Sequence, residues 1–517
     1  MRKRAGIILV GIFAAALMVA AWFIRKEKQV VVMDPWEAVP ADAFFILETD
    51  DFPELLTRVT DPAGIISSLA GMQWASSLVQ SASAVDSVTG GRGVREVISN
   101  RRMIISFHVA GQGRPLPLAV MSTGPSFTPR KLSSLLTQAG GTVTDKRDLG
   151  GARTYTVTWK RGVSQQNAYL ALTSGILIVS PSEGLVTAAL DNRSAGSDIR
   201  HQQGFSAVVN AAGKDADNLF ILFRNLSGFL RPFINPEDIS AVTSLAIAGG
   251  GDIAVAEEGI SISGFLITAG AGTGVDRLRD IVPSECGVHE LLPRNTLSYK
   301  TVMRRASLAG ETATDPASVN ATDLALILSP YTGSEVTEAV IPLADGSERV
   351  RVFRMTDRQS AEKVLRERLT AKYRSMGLRE SHFIASAMED DGDEATLYRM
   401  PFTGVSTILS GTEKGKAGDE WGTFARSYMI FSSSPEVLAT VLRGADMENT
   451  LINDPGFREM EKTLPTKSSF LFWTSGAALK SLASDYLKPE TSSSLNERDF
   501  AGISGIGISL TPSNDMI

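Results

Sequence analysis

The sequence predicts an α+β fold in which mainly antiparallel sheets carry packed helices, behind one N-terminal transmembrane helix. Three observations lead to this prediction: an uncharged stretch near the start, strand-like runs in direct succession, and one series of segments that occurs twice. Strands that follow one another without crossover helices are typical of antiparallel sheets. We therefore expect two homologous modules that follow a membrane anchor.

The composition is that of a globular protein and limits the classes of function. The chain has 517 residues, 43% hydrophobic and 21% charged, with a net charge of −6. This length predicts more than one domain, and this charge balance gives no support to nucleic-acid binding. Cys286 is the single cysteine, so neither an intramolecular disulfide nor a cysteine-based zinc site can form. A chain without disulfides suits a bacterial envelope.

Residues 1–29 are predicted to be a cytoplasmic tail and a transmembrane signal-anchor. Ala5 to Ile24 carry no charge and lie between Arg2-Lys3-Arg4 and Arg25-Lys26-Glu27-Lys28. Twenty residues of helix span about 30 Å, the thickness of a bilayer's hydrocarbon core. A cleaved signal peptide is the alternative, but Trp22-Phe23-Ile24 stand where cleavage needs small residues. We place the short N-terminus in the cytoplasm and the bulk of the chain outside.

The first module is predicted to span residues 40–270, after a tether at 30–39. Phe44 to Leu47 are a compact apolar strand. Asp51-Phe52-Pro53-Glu54 follow with the pattern of a helix start, since an Asp cap precedes Pro and a Glu stands three residues after the cap. We expect the same order of elements to recur later in the chain.

Four further helices are predicted from caps and apolar spacing. Thr128-Pro129 open one, with Leu132, Leu135 and Leu136 on one face and Gly140-Gly141 at its end. Ser180 and Ser434 are expected to cap two helices at equivalent places. A fourth helix is predicted from Asp357 to Met376, where Val364, Leu365, Leu369 and Tyr373 recur at helical spacing.

An internal repeat is the most informative pattern in the chain. Several anchors recur at a separation of 252 residues, and Pro40 recurs as Pro293 at 253. The 252-residue pairs are Ile178 with Ile430, Gly204 with Gly456, and Leu219 with Leu471. Two unrelated sheets that share common strand patterns are the alternative. We favour homologous modules at 40–270 and 293–517, joined by a linker at 271–292.

The second module is expected to lack its last strand. Ser244 to Gly249 and Gly259 to Leu266 are two successive strand runs, and only Gly505 to Leu510 matches the first of them. Asn514 to Ile517 then fall in the expected turn, so either the strand is absent or the chain is truncated. An absent strand leaves an unpaired sheet edge, which natural sheets usually protect.

Motifs that suggest ligands have simpler interpretations. Gly249-Gly250-Gly251-Asp252 lack the pattern of a phosphate loop and are predicted to be a hairpin turn. The acidic run from Glu389 to Glu394 lacks the spacing of a calcium loop and is predicted to be a hairpin tip. Asn320-Ala321-Thr322 is a glycosylation sequon, a pattern short enough to arise by chance.

Catalytic residues are not predicted. Cys286 and His289 are three residues apart and are a conceivable thiolate pair, but they have no second helper. His108 lies in an apolar strand run and is predicted to be a hydrogen-bonded histidine of the core or sheet edge. No G-x-S-x-G elbow or H-E-x-x-H pattern occurs in the sequence. We therefore predict no enzyme and no catalytic, cofactor-binding or metal-binding residue.

Short motifs resemble a family of uncharacterised bacterial envelope proteins, a domain of unknown function found in Bacteroidetes-type bacteria. The resemblance rests on Val39-Pro40-Ala41-Asp42-Ala43-Phe44-Phe45, on Ser180-Pro181-Ser182-Glu183 and Ser433-Ser434-Pro435-Glu436, and on Pro512-Ser513-Asn514-Asp515. It implies an envelope location and no activity.

The expected function is that of a single-pass protein of the bacterial inner membrane. Its partners are then the lipid bilayer, through Ala5 to Ile24, and an envelope protein that binds the periplasmic modules. In this reading the modules act as a scaffold, adaptor or assembly factor, through sheet edges or grooves. The alternative is a periplasmic binding module for a lipid, a glycan or another apolar ligand.

Overall fold

The structure is a computed structural model that describes most of the chain beyond residue 33. The described residues are 34–62, 98–123, 127–138, 140–149, 151–161, 164–173, 175–214, 217–256, 259–268, 270, 275–304, 318–388, 394–411, 420–493, 495, 500, 502–513 and 516–517. The predicted membrane helix at Ala5 to Ile24 lies outside them. Among the residues that are described, no helix is both long and apolar enough to cross a membrane.

The chain forms two compact units. Almost all of the first precedes Thr268, and almost all of the second runs from Thr268 to Ile517. Both are α+β, with large antiparallel sheets and helices packed on them, as the sequence predicts. The segment expected to link the modules contributes to the second unit, because Val288, Leu291 and Leu292 are fully buried in its core.

The first sheet has ten strands within the described residues. These are β1 (Phe45–Thr49), β2 (Met103–Ala110), β3 (Arg114–Ser122), β4 (Thr142–Leu149), β5 (Ala152–Arg161), β6 (Ser164–Thr173), β7 (Ile176–Ser180), β8 (Asn218–Leu222), β9 (Ala248–Val255) and β10 (Ile260–Ile267). Their order across the sheet is β10-β9-β8-β1-β2-β3-β7-β6-β5-β4.

The second sheet has nine strands in the part of the chain described. These are β12 (Ser298–Met303), β13 (Thr332–Leu343), β14 (Gly346–Met355), β15 (Ile384–Met388), β16 (Glu394–Arg399), β17 (Trp421–Ala425), β18 (Tyr428–Ser432), β20 (Phe470–Ser475) and β21 (Gly505–Leu510). Their order is β21-β20-β12-β13-β14-β18-β17-β16-β15. Two short strands, β11 (Ser284–Glu285) and β19 (Lys467–Ser468), form a separate pair.

Thirteen α-helices lie in the described ranges. They are α1 (Phe52–Thr60), α2 (Pro129–Gln138), α3 (Glu183–Ser194), α4 (Phe205–Ala211), α5 (Ser227–Leu230), α6 (Pro236–Thr243), α7 (Ala321–Leu328), α8 (Arg358–Ser375), α9 (Val405–Ser410), α10 (Pro435–Asp446), α11 (Pro455–Glu461), α12 (Leu479–Tyr486) and α13 (Pro489–Ser492). In the second unit α10 packs on one face of the sheet and α8 on the other. Alternation along each strand makes this possible, since neighbouring side chains point to opposite faces.

The two sheets share one strand order. When β12 is matched to β1, β13 to β2, and so on along the chain, the second sheet repeats the first from β9 to β4. Only β10, the outermost strand of the first sheet, has no counterpart among the described residues.

Register corrects one of the matched pairs. Ile46 lies opposite Phe220, and Tyr299 lies opposite Trp473, so these pairs match at a separation of 253. All four side chains are buried, Ile46 and Phe220 in the core that includes α4, and Tyr299 and Trp473 in the core that includes α11. Pairing Leu219 with Leu471 at 252 is therefore wrong by one residue, because a one-residue shift moves a side chain to the other face.

Helix starts follow the predicted caps with one correction. Asp51 caps α1 by accepting the Glu54 N–H, and Asp357 and Ser434 cap α8 and α10. The cap of α3 is Ser182 and not Ser180, whose hydroxyl instead accepts the Ser182 N–H. Ser182 and Ser434 are 252 residues apart, so the caps keep the repeat separation.

The glycine run at 249–251 is not a hairpin turn. It lies inside β9, where Gly250 faces Phe220 and Gly251 faces the backbone of β10. A Cβ at Gly250 would clash with the Phe220 ring, and one at Gly251 with the carbonyl of Ser263. Close packing thus explains these glycines, as it does for many glycines inside strands.

Two other expectations fall near gaps in the description. The acidic run lies outside the described residues at 389–393, while β15 and β16 on either side of it pair as an antiparallel hairpin. The expected tether differs from the structure at Pro35–Ala38, which form a 3-10 helix. Burial explains that difference, because Trp36 is fully buried against the core of the first unit.

The sequon at Asn320 is the capping box of α7, which predicts a measurable loss on mutation. The Asn320 side chain accepts the N–H groups of Thr322 and Asp323, and the Asp323 carboxylate accepts the Asn320 N–H at 2.9 Å. We expect Asn320→Ala to lower the free energy of unfolding by about 1 kcal/mol in urea denaturation. Thr322→Ala removes the sequon but keeps the cap, and should change stability by less than about 0.5 kcal/mol. Equal effects of the two changes would contradict the capping role.

Candidate functional site

The first unit contains a serine, a histidine and an aspartate in the contact order of a catalytic triad. Ser106 Oγ lies 2.8 Å from His108 Nε2, and His108 Nδ1 lies 2.8 Å from Asp42 Oδ1. Sequence reasoning missed this arrangement because Ser106 and His108 are alternate residues of β2 and no nucleophile elbow marks them. The bond from His108 also lowers the pKa of Asp42.

Exposure argues against catalysis by these three residues. In a working triad the serine is accessible and the aspartate is buried. Here Ser106 is 0% exposed and His108 1% exposed, whereas the Asp42 side chain is 66% exposed. The contacts therefore satisfy a buried histidine, as predicted for His108, and no substrate carbonyl can reach Ser106 Oγ in this conformation.

A fluorophosphonate probe tests this interpretation. Because Ser106 Oγ is sealed from solvent, we expect no covalent labelling of the folded chain by intact-protein mass spectrometry. A serine protease labelled in parallel serves as the positive control. Stoichiometric labelling that is lost in Ser106→Ala would show that the relay opens and works as a nucleophile.

The second unit contains a cavity of about 430 Å³ that both polar and apolar side chains line. It lies beside the 3-10 helix Val288–Glu290, with β12, β14 and β18 of the sheet and helix α11 around it. The side chains that carry its chemistry are Cys286, His289, Tyr299, Arg354, Tyr428 and Glu461. The volume is within the range of small-molecule sites.

A buried carboxylate holds the wall of this cavity in place. Glu335 on β13 is 2% exposed, and its Oε1 accepts the N–H groups of Gly287 at 3.1 Å and Val288 at 3.0 Å. Its Oε2 accepts the Tyr428 hydroxyl at 3.2 Å and lies 3.5 Å from Arg354. Buried carboxylates are stable when hydrogen bonds and a cation compensate them. The Glu335 carboxylate therefore has a structural role.

Cys286 and His289 do not form the thiolate pair considered from the sequence. The Cys286 thiol donates to Glu335 Oε1 at 3.4 Å, while His289 Nε2 lies 3.4 Å from Glu461 Oε1. Burial, together with the charge of Glu335, raises the pKa of Cys286 far above its ordinary value. A thiol held in this way is a poor nucleophile, since the thiolate is the reactive form.

Two polar atoms of the cavity have no hydrogen-bond partner in the described part of the chain. They are the hydroxyl of Tyr299, a residue only 1% exposed, and Nδ1 of His289. Burial also raises the pKa of Tyr299 well above its ordinary value, so its hydroxyl keeps its proton. Buried polar groups are nearly always paired in proteins, so both atoms call for an explanation.

Metal ligands do not cluster here. Across the residues that the structure describes, no group of three or more His, Cys, Asp or Glu side chains is arranged to hold a metal ion.

An open sheet edge is the other surface with a possible function. β21 pairs with β20 on one side, and within the described chain no strand pairs with its other side. Ile506 and Ile508 on β21 are 41% and 46% exposed. The matching strand of the first sheet, β9, is covered by β10 along its whole length.

Comparison with family models, with curated proteins and with solved structures finds no match for this chain. The resemblance to envelope proteins stays an expectation, and the function has to be argued from the sites themselves.

Removing the unpaired hydroxyl is predicted to stabilise the protein. Tyr299→Phe deletes a buried polar group that makes no bond, so we expect the free energy of unfolding to rise by about 1 kcal/mol. Tyr398→Phe is the matched control, since the Tyr398 hydroxyl donates to Glu362 at 3.0 Å, and should cost about 1 kcal/mol. Urea denaturation of both variants measures the difference. A loss in Tyr299→Phe as large as in the control would mean that its hydroxyl is bonded.

Proposed function

We propose that this chain is a non-enzymatic, single-pass protein of the bacterial inner membrane. Ala5 to Ile24 anchor it, the N-terminus lies in the cytoplasm, and the two units lie in the periplasm. There the units act as a scaffold, adaptor or assembly factor. The uncharged N-terminal stretch with basic flanks supports the anchor.

One observation carries the scaffold role, namely the difference between the two sheets. Both have the same strand order, and β10 pairs with the outer side of β9, whereas among the described residues no strand pairs with the outer side of β21. An edge strand presents unpaired N–H and C=O groups that can pair with another chain. The shared order also supports a duplication of the module.

The edge predicts the chemistry of the partner. A segment that adds to β21 takes the place that β10 has beside β9, so it runs antiparallel and extended. Ile506 and Ile508 point to one face, so the partner should place apolar residues beside them. On β10 the corresponding pattern is Ile260 and Ile262 alternating with serines.

A positive charge on β21 should weaken the binding of the protein partner. We expect a stoichiometric protein partner to co-purify with the full chain in mild detergent, and Ile508→Lys to reduce its recovery at least about tenfold, because lysine on an edge opposes strand addition. Ile262→Lys is the matched control, since Ile262 is 56% exposed on the edge strand of the first sheet. That variant should retain the partner.

A photo-crosslinking amino acid locates the contact. Placed at 508 it should crosslink the partner, and placed at Met376, which is 53% exposed at the end of α8, it should not. Recovery of no stoichiometric protein would overturn the scaffold role. A partner that survives Ile508→Lys would overturn the docking edge. A C-terminal reporter active only in the cytosol would overturn the location.

A further inference from the structure

We infer that the cavity of the second unit binds a neutral, hydroxyl-bearing small molecule, of the class of sugars and polyols. The inference concerns a different surface from the open edge and does not depend on strand docking. It rests on the unpaired Tyr299 hydroxyl and His289 Nδ1, and on what occupies the same place in the first unit.

The first unit shows this place filled. Trp36 is 0% exposed and packs edge-on against Phe205 and Phe220, with ring centroids 5.9 and 5.6 Å apart. Its indole N–H donates to Glu48 Oε1 at 3.1 Å. Ile46 completes the same core. The indole N–H is the only polar side-chain group among Trp36, Ile46, Phe205 and Phe220, and it is hydrogen-bonded.

The second unit keeps aromatic residues at two of these positions and has different side chains at the other two. Phe457 and Trp473 match Phe205 and Phe220, and their rings lie 5.5 Å apart at 80°. At the repeat separation of 253 residues, His289 stands in the place of Trp36 and Tyr299 in the place of Ile46. The His289 ring packs on Phe457 at 5.7 Å, as the indole does on Phe205.

The exchange accounts for the unpaired atoms. An imidazole is smaller than an indole, but Tyr299 and Trp473 are larger than Ile46 and Phe220, whose places they take. The residue matched to Glu48 is Thr301, whose hydroxyl is bonded to Thr337 at 2.6 Å. The second unit has therefore replaced three satisfied or apolar side chains by His289, Tyr299 and Trp473, each of which has one polar atom without a partner in the described residues.

The two unpaired atoms select the ligand group. A neutral imidazole nitrogen is a donor in one tautomer and an acceptor in the other. The Tyr299 hydroxyl both donates and accepts. A ligand hydroxyl also donates and accepts, so an alcohol group can pair with either atom.

Charge argues against an anionic ligand. The carboxylates of Glu285, Glu290 and Glu461 belong to residues that line the cavity. The two guanidinium groups beside them are already engaged, since Arg354 contacts Glu335 and Arg426 donates to the carbonyls of Glu290 and Ala445. A phosphate or a fatty-acid carboxylate would meet repulsion without a free cation.

Apolar side chains on the opposite wall suit the carbon skeleton of such a ligand. Met460, Leu464 and Leu471 line the cavity together with the polar groups. A mixed wall with a few placed polar groups is typical of small-molecule sites.

Calorimetric titration of the purified full chain tests the inference. The probes are glucose, N-acetylglucosamine, trehalose and myo-inositol, with inorganic phosphate and decanoate as anionic comparators. We expect at least one neutral probe to bind, and Tyr299→Phe to weaken that binding at least about tenfold, the loss of roughly one hydrogen bond to a ligand that is left unpaired. The same variant is expected to be at least as stable as the wild type, and urea denaturation of it shows whether weaker binding reflects unfolding.

Controls separate this site from the scaffold role. Tyr398→Phe, with a bonded hydroxyl elsewhere in the same sheet, and Ile508→Lys, on the open edge, should both bind as the wild type does. His289→Trp restores the residue of the first unit and should abolish binding. Absence of a neutral binder in this panel, or binding that Tyr299→Phe leaves unchanged, or binding of the anions alone, each overturns the inference.

Discussion

The first strand of each unit lies in the interior of its sheet, and this constraint determines the rest of the fold. β1 pairs with β2 on one side and with β8 on the other, and β12 pairs likewise with β13 and β20. Buried backbone N–H and C=O groups must be paired, so neither strand is stable until both neighbours are in place. The packing of α4 and α11 and the position of the cavity follow from that closure.

The comparison of the two units shows how one framework supports different interiors. In the first unit, aromatic and aliphatic side chains fill the space next to β1, and the single indole N–H is bonded to a carboxylate. In the second, the same space is lined by a phenol and an imidazole, while Glu335 organises the adjoining backbone. Buried polar groups lower stability unless they are satisfied, so such an arrangement is more easily explained by binding than by folding.

Much of the fold could be predicted from the sequence, because its signals are local. Helix caps such as Asp51 and Ser434 hydrogen-bond residues two or three positions away, and strands show as short apolar runs. The repeat was visible because it preserves spacing. Strand order was not predictable, since β1 meets β8 through contacts with residues far along the chain. The glycine run in β9 was misread for the same reason, as its purpose is close contact with Phe220 and β10.

The candidate site was harder to predict than the fold. His289 and Cys286 were noticed as neighbours in sequence, yet their partners, Glu461 and Glu335, come from distant segments. Tyr299 carried no signal, because a tyrosine in a strand is ordinary and only the missing partner distinguishes it. The sequence contains one clue to the site, namely that Trp36 and His289 occupy matched positions of the internal repeat.

The pairing of β12 with β20 has a consequence for biosynthesis. β12 ends at Met303 and β20 begins at Phe470, so the ribosome must add well over a hundred residues between them. At about 5–20 residues per second this takes on the order of 10–30 s. Throughout that interval the emerging chain carries a strand with one side unpaired, and a holding chaperone would shield it from wrong pairings.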